Sequence, residues 1–97
     1  MSRPTLLSDD LVASWLTTHS RWHATGHQVV CQFDIPYHEA LDVLQATRDV
    51  VHQLDHHPVC EIGYDYLRVT LWTHDRGGVT QLDLDLADAF DRAVDGE

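Results

Sequence analysis

Apolar and polar positions change period several times along these 97 residues, and each change marks an element. Ser8 reads as a helix cap, with Asp9 and Asp10 in the first turn, where the helix dipole favours anions. Leu11 and Trp15, and Val12 and Leu16, then recur four apart, which predicts a first helix over about 8–19. Residues 27–35 alternate: Val29, Cys31, Phe33 and Ile35 point one way, Gln28, Gln32 and Asp34 the other. That is a half-buried strand. Gly26 before it suggests a turn, with a short strand around 22–24. Pro36 suits the first turn of a second helix, and Ala40, Val43, Leu44, Thr47, Val50, Val51 and Leu54 carry it to about 55. It is expected to stop near His57, because a residue before proline is pushed out of the helical region.

Two strand-like runs follow, over 59–65 and 67–74, with a turn near Asp65. In the second, Leu67, Val69 and Leu71 share one face, and Arg68, Thr70, Trp72 and His74 the other. Thr80 to Asp83 has the form of a capping box, and Leu82, Leu86, Ala89, Phe90 and Ala93 give a third helix its apolar stripe. The order α-β-β-α-β-β-α predicts an α+β fold, an antiparallel four-stranded sheet with three helices packed on one face. One domain is expected over 1–97, with its core between about 8 and 94.

Charge removes several function classes. The formal net charge is -10, with six arginines and no lysine. Nucleic-acid binding needs a basic face that displaces counterions from phosphates, so no direct nucleic-acid partner is expected. An acidic surface also disfavours anionic membranes, and no apolar run reaches the length of a membrane span. Gly77-Gly78 is too short to cradle a pyrophosphate, so no nucleotide cofactor is expected. Cys31 and Cys60 form no paired motif and read as small buried hydrophobes in a reducing compartment. The start, MSRPTLLSDD, lacks the apolar run of a signal peptide, and the expected location is cytoplasmic.

Chemistry concentrates where the second helix stops. His56 and His57 stand side by side before Pro58, and His74 ends the last strand. Taken singly, His56 reads as a helix C-cap, His74 as a solvated strand end and Asp83 as half of the capping box. Together they offer imidazoles, which ordinarily titrate near pH 6.5 and so supply both acid and base at neutral pH.

The ordered run His52-x3-His56-His57-Pro58-x5-Tyr64-x9-His74-x8-Asp83 resembles the signature of the pterin-4a-carbinolamine dehydratases. The resemblance extends outward to Trp22, Phe33, Ala40 and residues 77–87, from about Ser8 to Val94. His52 stands where many members carry glutamate, Cys60 replaces a frequent aromatic, and Asp75-Arg76 departs from a Glu-containing loop. The resemblance implies expulsion of water from a 4a-hydroxytetrahydropterin to give quinonoid dihydropterin, in tetrahydropterin recycling. It implies His56 and His74 as the principal acid/base residues, His57 as a residue that binds and orients the pterin, and Asp83 as one that positions or polarises the site. Pro58, Thr73, Asp75 and Arg76 would line the pocket. It implies no metal and no other cofactor, and a homodimer or homotetramer.

Two rival readings use the same residues. His52 and His56, four apart on one helix face, could bind a metal with His74 or Asp83, although the segment lacks the glutamate of the HExxH zinc motif. Alternatively the chain is a non-catalytic interaction or assembly factor on the same fold, for which an exposed Trp72 at mid-strand would be an interface residue.

Overall fold

The computed structural model describes residues 4–97. Its elements are α1 (Asp9–Thr18), β1 (His23–Thr25), β2 (Gln28–Phe33), α2 (Tyr37–Leu54), β3 (Val59–Ile62), β4 (Leu67–Leu71), a 3-10 turn (His74–Arg76) and α3 (Gln81–Val94). The four strands form one antiparallel sheet in the order β1-β2-β4-β3. The expected α+β order is therefore the observed one. Ser8 caps α1 by accepting the Leu11 N–H at 3.2 Å.

Alternation decides which face is covered. Val29, Cys31 and Phe33 of β2 and Leu67, Val69 and Leu71 of β4 are all buried. They pack in one core with Val12 of α1, Ala40 and Val43 of α2, and Leu84, Leu86, Ala87 and Phe90 of α3. Each fully buried side chain of this size contributes about 1.5–3 kcal/mol from apolar burial. The other sheet face carries exposed Gln32, Arg68 and Glu61, with Arg68 donating to the Gln32 amide oxygen at 2.8 Å.

Two strand ends differ from expectation, and every stop has a local reason. α2 ends at Leu54, within a residue of the expected end near 55. Asp55 takes the left-handed conformation (φ 47°), its N–H bonds to the His52 carbonyl, and the His56 N–H bonds to the Val51 carbonyl. That pair of bonds is a Schellman closure, which short polar residues such as Asp tolerate. β3 stops at Ile62, where the Gly63 N–H bonds to the Tyr66 carbonyl and closes the turn around Asp65. β4 stops at Leu71, so His74 is not a strand residue but opens the 3-10 turn. Thr73 and Gly78 form an isolated bridge that folds this turn back, with Gly77 at φ 68°, a conformation that favours glycine.

Cys31 is buried as expected, whereas Cys60 is half-buried. Cys31 and Cys60 both sit opposite Val69, on either side of β4. Two strand spacings of about 4.8 Å each place them beyond disulfide reach. Burial pushes the Cys31 thiol up to about 12 and the Cys60 thiol up to about 11. The folded state therefore holds these protons to higher pH than the unfolded chain. Their contribution to stability is full below the ordinary value of 9.0 and declines as pH rises through 11 and 12. At pH 8, iodoacetamide should leave both thiols unmodified in the native protein and label both in urea. Rapid native labelling of Cys31, counted by mass spectrometry, would contradict a closed core.

Candidate active site

Beyond the Schellman closure, His56 is buried and His57 exposed. The His56 side chain, 11% accessible, meets Asp83 on α3, whose side chain is 0% accessible; Nε2 lies 2.5 Å from Oδ1. A carboxylate oxygen only accepts, so Nε2 carries the proton and donates. This leaves Nδ1 as the nitrogen with a lone pair in the neutral ring.

Asp83 is itself fixed from its other side. Its Oδ2 accepts the Thr73 hydroxyl at 2.9 Å and the Thr80 N–H at 2.9 Å. The Thr73 hydroxyl proton is committed to the carboxylate, so the Thr80 hydroxyl, 2.7 Å away, donates to Thr73 Oγ1. Thr80 Oγ1 in turn accepts the Asp83 N–H, which completes the expected capping box. One buried carboxylate thus joins the end of α2, the end of β4 and the start of α3. Among the described residues no buried side-chain N or O lacks a partner. Such a network rigidifies when every member is satisfied.

His74 follows Thr73 directly and is exposed at the head of the 3-10 turn. Its ring lies 5.6 Å from that of Trp72, inclined by 37°. Trp72 stands just beyond β4 and is half-buried, rather than an exposed mid-strand residue. β3 pairs with β4 through Val59 and Thr70. His57 lies two residues before Val59 and Trp72 two residues after Thr70, so both belong to the same end of the hairpin. His56, His57, Trp72 and His74 therefore gather at one end of the β3–β4 hairpin.

The other expected site residues divide. Pro58 is half-buried, and Asp75 and Arg76 lie in the exposed turn with His74. Thr73 is buried (3%), with its hydroxyl donating to Asp83. Tyr64 is 91% exposed at the opposite end of the hairpin, beside Tyr37 and His38 in a separate cleft. His52 is exposed on α2, and among the described residues no three His, Cys, Asp or Glu side chains converge as metal ligands. Clefts lie between α2 and α3 and beside α1, away from these histidines. The buried His56–Asp83 pair marks the candidate centre, because burying such a pair is costly unless it is fully bonded.

Thr80 was not among the expected site residues. Its signal was the capping box itself, which fixes where the carboxylate points. No helix of the described residues is long and apolar enough to cross a membrane.

Residues 5–93 match the family model for pterin 4 alpha carbinolamine dehydratase. A protein of Picosynechococcus sp., provisionally named a pterin-4-alpha-carbinolamine dehydratase, is 35% identical over 89 residues, covering 91% of this chain and 97% of the relative. One of Natronomonas pharaonis with the same provisional name is 34% identical over 90 residues, covering 92% and 96%. The crystal structure of a transcriptional coactivator/pterin dehydratase from Brucella melitensis superposes with a TM-score of 0.87 at 24% identity, over 93% of this chain and 99% of that one. At that identity the likeness speaks to the fold.

Proposed function

Because the chain belongs to the pterin 4 alpha carbinolamine dehydratase family, we propose that it is a 4a-hydroxytetrahydropterin dehydratase working by histidine general acid/base catalysis. The observation that carries this reading is the fully buried Asp83 holding His56 on one oxygen and the Thr73 hydroxyl, next to His74, on the other.

Hydroxide leaves carbon poorly. An acid must give a proton to the C4a hydroxyl as the C–O bond breaks, while the N5–H proton passes to a base. The N–H electrons then form the C4a=N5 bond, and the products are water and quinonoid dihydropterin. His56 and His74 serve as this acid/base pair. Asp83 holds His56 with Nε2 protonated, so Nδ1 is the nitrogen that exchanges a proton with the substrate. His57, exposed beside them, binds and orients the pterin, and Pro58, Asp75 and Arg76 form the rim. Thr73 supports the site through Asp83. Such chemistry belongs to tetrahydropterin recycling, in the cytoplasm, in a homodimer or homotetramer.

A second reading has one specific observation in its favour: the Brucella relative is called a coactivator as well as a dehydratase. A pure scaffold has no use for an imidazole held by a buried carboxylate beside two exposed histidines, so we place catalysis first. The test is to generate 4a-hydroxytetrahydropterin with an aromatic amino acid hydroxylase and follow its dehydration by absorbance. Added protein should speed the reaction well above its spontaneous rate. A stable macromolecular partner found alongside an unchanged dehydration rate would favour the scaffold.

A further inference from the structure

We infer that Trp72 is the stacking platform for the flat half of the pterin, an assignment that rests on the dehydratase reading and extends it to how the ring is held. A pterin is a fused bicycle whose pyrimidine half stays planar when the other ring is reduced. A flat heteroaromatic ring with a polar edge is well recognised by an aromatic face, with polar groups placed at that edge.

The aromatic slot of the family-like run, Tyr64, cannot supply that face, because it lies at the far end of the hairpin with Tyr37. Trp22, Phe33 and Phe90 are buried in the core. Trp15 stacks on His19, and Tyr66 donates to Glu61 beside Arg68. Trp72 differs from all of these. The β4 alternation turns its indole to the open sheet face, away from buried Leu71 and Thr73. It is half-buried, and its ring neighbour is His74 at 5.6 Å. His57 precedes β3, the strand paired with β4, at this same end of the hairpin. An indole with an imidazole beside it, at the hairpin end that also carries His56 and His57, can hold a planar ring while leaving the ring-fusion edge, where C4a and N5 sit, to the histidines. In this arrangement Trp72 governs affinity and orientation but moves no proton.

The test uses the full chain and a stable probe, 7,8-dihydrobiopterin, in calorimetric titration, together with steady-state dehydration kinetics. Removing one base–aromatic stack weakens binding about 5- to 150-fold. Trp72→Ala should lose affinity in that range and raise KM similarly, with kcat reduced less than KM is raised. Trp72→Phe, which keeps an aromatic face, should stay within about fivefold of wild type and guards against misfolding as the cause. Trp72→Ala that binds the probe and turns over like wild type overturns the assignment while leaving the dehydratase reading intact. Dissociation of an oligomer with unchanged probe affinity also overturns it, and identifies Trp72 as a subunit contact. A wild-type protein that neither binds the probe nor speeds dehydration overturns both.

Discussion

Asp83→Asn should lower the dehydration rate by about 10²–10⁴-fold while the protein remains folded. The expectation follows from proton accounting at a buried site. In the wild type, Oδ2 accepts the Thr73 hydroxyl and the Thr80 N–H, and Oδ1 accepts from His56 Nε2. An asparagine must keep its oxygen where the Thr80 N–H points, since that donor cannot turn away. Its NH₂ then occupies the Oδ1 position and donates to Nε2. His56 is forced into the other tautomer, with the proton on Nδ1, and the nitrogen assigned to proton exchange is blocked. Nitrogen-15 shifts of His56 should report that inversion directly, in the absence of any substrate. Asp83→Ala is a poorer probe, because each buried donor left unpaired costs about 1–3 kcal/mol and the variant conflates folding with catalysis. An Asp83→Asn protein with the wild-type tautomer and rate would remove the carboxylate from the mechanism.

His74→Ala should lose a comparable factor, about 10²–10⁴-fold in kcat/KM, with almost no effect on folding. His74 is exposed, and the turn it opens is held by backbone bonds: the Gly77 N–H reaches the Thr73 carbonyl at 3.0 Å, and the Thr73 N–H reaches the Gly78 carbonyl at 2.8 Å. Neither bond involves the imidazole. Stability should change by no more than about 0.5 kcal/mol in urea unfolding, the usual range for an exposed site. The contrast with Asp83 separates the residue proposed to touch substrate from the one proposed to act through His56. Unchanged turnover in His74→Ala would leave His56 without its acid/base counterpart.

Much of this arrangement was legible in the sequence where one period dominates. The alternation of Val29, Cys31 and Phe33, and of Leu67, Val69 and Leu71, assigned the buried sheet face correctly. The capping box placed Thr80 and Asp83 at the start of α3. The same alternation, continued by one step, put Thr73 on the buried side, which marks its hydroxyl as internal rather than as an open pocket wall. What the sequence obscured was how the elements stop. The end of α2 near 55 was legible, but its cause was not: Asp55 in a left-handed conformation lets a Schellman closure satisfy the last carbonyls before proline can act. His74 continued a strand pattern, yet the Gly77 turn and the Thr73–Gly78 bridge bend the chain there instead. Linear spacing also hid that Tyr64 and His56 lie at opposite ends of one hairpin. A strand of four residues, β3, separates them, and spacing records that distance but not its direction.

The central statement is that the histidines at this end of the hairpin dehydrate a 4a-hydroxypterin. It is tested most directly by the rate of that single reaction with wild type, with the His56→Ala/His74→Ala double variant and with buffer alone. Wild type should exceed the buffer rate by at least about 10², and the double variant should fall back close to buffer. A wild-type rate equal to buffer, or a double variant that retains the wild-type rate, would contradict it.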